Sequence, residues 1–201
     1  IPLKRLEVNS LPSGEIPVWL MNPVENEGRR YIEMPGNQCI TCLANLLIGL
    51  WSHSETIHQD LVEKTTIFLL QSLIEREGFH SEYYTPLTGL WRLAELVQLI
   101  QAQGSASLGD MAFQSQRILK NRFVEFRSHI GTPQQASRAV LISLHDGMQE
   151  LFEERWVELI IDKQRHDGLW EAEPFYVVPS VGETKGTHSS RLITTATCYD
   201  A

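Results

Sequence analysis

Gln164-Arg165-His166-Asp167-Gly168-Leu169-Trp170, followed by Pro174-Phe175-Tyr176, is the stretch on which the reading of this chain turns. It comes directly after Phe152, Trp156, Leu159, Ile160 and Lys163, which have helical spacing. A helix end leaves carbonyls without partners, and three residue types here answer that need. An amide side chain can bond terminal backbone groups, a glycine permits the left-handed turn that ends a helix, and an indole can shield the junction. The stretch therefore predicts a helix end built to hold whatever follows it.

Working outward, the same helical spacing recurs. Toward the N-terminus, Ala136, Ala139, Val140, Ser143 and Leu144 form a stripe that runs up to Gly147. It starts after Gly131-Thr132-Pro133, where Thr132 can cap and Pro133 can take the first helical position. Earlier stripes are Cys42, Leu43, Leu46, Leu47 and Leu50; Ile57, Leu61, Thr65, Phe68, Leu69 and Leu73, ended by Gly78; and Leu87, Leu90, Trp91, Ala94, Val97 and Ile100, ended at Gly104-Ser105. A more charged stripe carries Met111, Ile118, Leu119, Arg122 and Phe126. Beyond the quoted stretch, residues 165–187 read as a long loop, and a last helix is predicted from near His188. Residues 1–37 are rich in turn formers and hold two short β-like runs, 16–21 and 30–34, so they read as an irregular lead-in. The prediction is an all-α helical domain over 38–201, made of antiparallel hairpins joined by short Gly/Pro turns.

Composition narrows the function. The chain has 201 residues, is 42% hydrophobic and 21% charged, and carries a formal charge of -8, which suits one globular domain. Arg29-Arg30 and Arg117 to Arg127 are flanked by acids, which argues against a nucleic-acid footprint. No apolar run approaches the roughly 18 residues of a membrane helix. Cys39, Cys42 and Cys198 are too few for a disulfide framework, so a cytoplasmic protein is expected. The first residues, Ile1-Pro2-Leu3-Lys4, and the stop at Ala201 inside a predicted helix read as the ends of a piece of something longer.

Helical hairpins invite a search for repeats. Residues 72–86 share a plan with 161–179: an apolar helix end, a charged stretch, a glycine, an apolar residue, an aromatic or His, then a pair of aromatics and a proline. The spacing Ile160-x3-Gln164-x3-Gly168-x-Trp170 resembles the QW repeat of the squalene and terpene cyclase superfamily, and Pro174, Tyr176 and Ser190 to Ala201 resemble the step to the next inner helix of that fold. The copy at 72–86 departs from the pattern, with Ile74 in place of Gln and His80 in place of Trp. The resemblance implies an α/α toroid, incomplete in this chain, with an apolar central cavity. About half a toroid is present, which implies a second chain or further sequence to complete it.

That superfamily serves cyclases, prenyltransferases and non-catalytic relatives, so function must come from the site. An Asp-x-Asp-Asp, an Asp-Asp-x-x-Asp and an Asp-x-Cys, the motifs of those activities, are all absent. The acid/base candidates are His145 and Asp146 at the end of the fifth stripe, where an imidazole beside a carboxylate can be tuned, although a helix-end histidine also suits the dipole. By the resemblance, His188, Arg191, Thr194, Thr195, Cys198 and Tyr199 begin an inner helix whose N-terminus, with Arg191, could bind an anion. Trp91, Tyr176, Tyr83 and Tyr84 are aromatic candidates for an apolar pocket. Cys39-Ile40-Thr41-Cys42 is a CxxC at a predicted helix start, readable as a redox or metal pair or as small core residues. His53 and His58, around Ser54-Glu55, could meet a metal with Asp60 or be scattered loop and cap histidines. No metal or cofactor is expected. Two functions follow as expectations: a terpene cyclase-like protein acting on or enclosing an isoprenoid or polyketide-type substrate, and a non-catalytic toroid that binds a peptide, lipid or partner subunit.

Overall fold

The structure, a computed structural model, describes residues 6–7, 9–16, 39–52, 59–81, 83–103, 107–178 and 186–201. Among the described residues seven α-helices carry the fold: α1 Ile40–Ser52, α2 Gln59–Glu75, α3 Pro86–Ala102, α4 Gly109–Arg127, α5 Pro133–Ser143, α6 Glu154–Asp162 and α7 Arg191–Asp200. The protein is all-α, as its periodicity predicts. The β-like run at 30–34, all of that at 16–21 except Ile16, and the histidines at 53 and 58 lie outside the described residues.

The helices begin where the chemistry favours it. Thr132 accepts a bond from the Gln135 amide (3.4 Å) and Pro133 opens α5. Ser190 caps α7 through the Ile193 amide (3.4 Å). That cap sets the start of α7 at Arg191 rather than at His188, because residues 186–189 are in a strand. The loop predicted over 165–187 contains a β-hairpin: β1 Pro174–Val178 pairs antiparallel with β2 Gly186–Ser189, Tyr176 opposite His188.

Packing follows the hairpin plan. α1 packs on α2, α3 on α4, and α5 on α6, while α1, α3, α5 and α7 also touch in succession. α2 meets α4, and Phe123 of α4 meets Trp156 of α6 with ring centroids 5.7 Å apart. Alternate helices are thus neighbours in two layers. Helix α3 is central, burying Leu87, Leu90, Leu93, Ala94, Leu96, Val97 and Ile100 against α1, α4 and α5. α5 is buried nearly all round, and its one charged side chain, Arg138, goes inside with it. No helix among the described residues is long and apolar enough to cross a membrane.

Candidate functional site

The QRHDGLW turn closes the end of α6. The Trp170 indole N–H donates to the carbonyl of Ile160 (2.7 Å), a last-turn group with no helical partner, and Trp170 is only 3% exposed. Gln164 Nε2 donates to the Gly168 carbonyl (3.0 Å), so the glutamine closes the turn while the tryptophan caps the helix. Gly168 has φ +77°, the left-handed conformation anticipated for it.

Two residues proposed as substrate-binding are used by this turn. Tyr199 donates its hydroxyl to the Gly168 carbonyl (2.9 Å) and stands edge-on to Trp170 with centroids 5.2 Å apart. Arg191 pairs with Asp167 (2.5 Å), and that guanidinium holds the Asp167 carboxyl below its usual range. Thr195 and Thr194 accept from the amides of Trp170 (3.3 Å) and Glu173 (3.0 Å). The turn is therefore a clasp between α6 and α7. Tyr176 and His188 face each other in the hairpin backbone; their side chains lie outside what is described. Trp91 is half-buried on α3 with the Arg92 guanidinium 4.9 Å from its ring centroid.

His145 and Asp146 follow α5. The His145 ring is half-buried, with Nδ1 bonded to Gln98 Oε1 and Nε2 buried without a partner, and burial holds its pKa below the ordinary value. Asp146 is exposed, accepting from Gln149 Nε2 (3.3 Å). It does not have the buried, apolar setting that a proton-donating carboxylate needs.

The site with the strongest chemistry lies at the other end of α5. A cavity of about 270 Å³ opens among the first turn of α3 (Thr85, Pro86, Leu87), the end of α4 (Phe126, His129), the start of α5 (Thr132, Gln134, Gln135, Arg138) and Glu173-Pro174. Arg138 is 3% exposed. Its Nη1 donates to Thr85 Oγ1 (3.2 Å), and Nη2 to Gln134 Oε1 (3.3 Å) with that amide oriented so that its nitrogen meets the Pro174 carbonyl. Nε has no partner, and no carboxylate among the described residues forms an ion pair with the group. Burial pushes the Arg138 pKa down to about 10, against the opposing charge of Glu173.

Two helix N-termini meet here. At α5, Glu173 already serves as the anion, accepting from the Gln134 amide (3.0 Å) and the Thr132 hydroxyl. At α3, the Thr85 side chain makes no capping bond and turns instead to Thr88 Oγ1 (2.9 Å) and to Arg138. The cavity is thus lined by a buried guanidinium and an uncapped helix start, both suited to a negative group, beside the apolar surfaces of Leu87, Phe126 and Pro174. A larger groove of about 440 Å³ between α2 and α4 is open and polar, and its Arg122 is committed to Glu125 (2.9 Å) and the Glu77 carbonyl (3.1 Å).

Neither Arg138 nor Glu173 stands out by motif. The available signal is that Arg138 is the one charged residue of a helix otherwise made of small, apolar and uncharged polar residues, and a helix buried all round must take its charge inside. Among the described residues no cluster of three or more His, Cys, Asp or Glu could hold a metal. No protein-family model, curated protein or solved structure matches the chain.

Proposed function

We propose that this chain is a helical-hairpin domain of the QW-repeat, α/α-toroid type that encloses a small hydrophobic molecule carrying an anionic head, as in isoprenoid or polyketide-type biosynthesis. The observation that carries the reading is Arg138: a buried cation, with its Nε unpartnered and no ion pair among the described residues, that lines an apolar cavity beside an uncapped helix start. A buried charge without an ion pair is costly, and a bound anion would relieve that cost. The packing of alternate helices and the clasp at Gln164, Gly168 and Trp170 support the toroid. The volume, near the ~300 Å³ lower end of small-molecule sites, suits a head group and the first part of a chain.

Enclosure fits better than acid-started cyclisation at His145-Asp146. That pair follows the C-terminal end of α5, roughly 16 Å of helix from the cavity at its N-terminus. A scaffold reading has one observation in its favour: α7 presents Leu192 (78% exposed), Ile193 and Tyr199 to solvent, apolar surface that a partner subunit could cover.

Titration calorimetry with dimethylallyl phosphate and with hexanoate tests the binding. One site per chain is expected, with affinity lowered at least about tenfold by Arg138→Met, the loss of one charge-assisted bond. Glu173→Gln, which removes the nearest competing negative charge, should tighten it. Absence of binding, or equal affinity in Arg138→Met, would sink this reading in favour of the scaffold.

A further inference from the structure

The CxxC pair is not among the residues that line that cavity, and its surroundings give it a chemistry of its own. Cys39 stands at the residue before α1, with its carbonyl accepting from the Leu43 amide (3.0 Å). The Ser81 hydroxyl lies 3.8 Å from its sulfur, and the start of α1 brings Cys42 round one turn further on. Ser81 Oγ meanwhile accepts from the Tyr84 amide (3.1 Å), which leaves its own hydrogen for the sulfur. Such a cradle stabilises a thiolate, and the Cys39 pKa is accordingly lowered to about 5, chiefly by the Cys42 hydrogen bond. The Cys42 thiol is raised by giving that bond and by burial, so it keeps its proton. Both cysteines are free thiols, and the pair belongs to no larger ligand cluster among the described residues.

We propose that Cys39 and Cys42 are a reversible redox pair, oxidised by hydrogen peroxide to a disulfide across the first turn of α1. Residues three apart at a helix start are neighbours, so the bond closes locally. The near-complete burial of Cys39, 4% exposed, selects an oxidant about the size of water, while Cys42 is the more open of the two. The Cys39 thiolate attacks one peroxide oxygen, the O–O bond breaks, and hydroxide leaves, taking up a proton to become water. The resulting sulfenic acid is attacked by the Cys42 sulfur, which loses its proton as the S–S bond forms and a second water departs. In sum, two thiols and one peroxide give one disulfide and two waters. A thiol reductant reverses it by exchange.

The test uses the full chain, reduced, exposed to hydrogen peroxide and then alkylated. Intact mass and peptide mapping should show the loss of two hydrogens, a Cys39–Cys42 linkage, Cys198 still alkylated, an unchanged far-ultraviolet circular dichroism spectrum, and recovery with dithiothreitol. Cys39 should be oxidised at least about tenfold faster than Cys198, whose thiol is raised by burial. In Cys42→Ser, unfolding the chain in a 1,3-diketone after the peroxide pulse should trap the sulfenic acid on Cys39. Both cysteines remaining alkylatable at doses that oxidise Cys198 would overturn the proposal, as would a linkage between chains. A rate with glutathione disulfide equal to that with peroxide would overturn the selection by size.

Discussion

Gly168 and Trp170 show how much of this architecture rests on single residues. At φ +77° any side chain other than glycine's is strained, and a Cβ there would approach the Tyr199 hydroxyl at 3.5 Å, ordinary contact. The cost of Gly168→Ala is therefore conformational, about 1–2 kcal/mol, read as a fall in the urea midpoint with an unchanged slope. Trp170→Phe keeps an aromatic ring against Tyr199 but removes the indole N–H, leaving the Ile160 carbonyl without its partner in a buried place. About 1–3 kcal/mol should be lost. A variant as stable as the parent would mean that water or Gln164 takes over the cap. Tyr199 and Arg191 belong to the same clasp, so substituting either should lower stability modestly, because both are partly exposed.

At the scale of elements, α3 is the member on which the layers depend, and at Gly89 it leaves no room for a side chain against its neighbours. A Cβ there would stand 2.5 Å from the Phe79 ring and 2.9 Å from Thr41 Oγ1, so Gly89→Ala must displace one of them. Alanine's better helix propensity, about 1 kcal/mol, works against an overpacking cost of about 1–3 kcal/mol. Net destabilisation is expected in thermal melts, and a raised Tm would show that the contact yields freely. The helices themselves were legible because their signal is local: each stripe repeats within its own segment, and Thr132-Pro133 announced α5. The clasp was legible for the same reason, since Gln164, Gly168 and Trp170 act on their own helix end. The β1–β2 hairpin was not, because its strands are four or five residues long and their pairing, with a register shift, shows only once they meet. Arg138 and Glu173 escaped for a related reason: Glu173 reaches the start of α5 from 39 residues away along the chain. No local pattern reports such a contact.

At the scale of the whole molecule, His145 couples the fold to pH. Its Nδ1 proton serves Gln98 Oε1, and its bare Nε2 is buried with nothing to accept a second proton's bond. Burial lowers its pKa below the ordinary 6.5, with the Asp146 charge pulling the other way. In the unfolded chain the same ring takes up a proton near pH 6.5. Above that value neither state binds the proton and the full stability is present. Below it the unfolded chain binds a proton that the folded chain refuses, so stability falls with pH until the folded value is passed. The slope for one such group cannot exceed about 1.4 kcal/mol per pH unit. Asp167, held below its ordinary 3.8 chiefly by Arg191, acts only at lower pH, so the two windows are separate. His145→Asn keeps an amide N–H for Gln98 and removes the titration. Denaturant melts between about pH 5 and 7 should then show a flatter stability profile for this variant than for the parent. Parallel profiles would mean that the imidazole reaches water in the folded protein and that the turn after α5 is looser than its buried Nε2 implies.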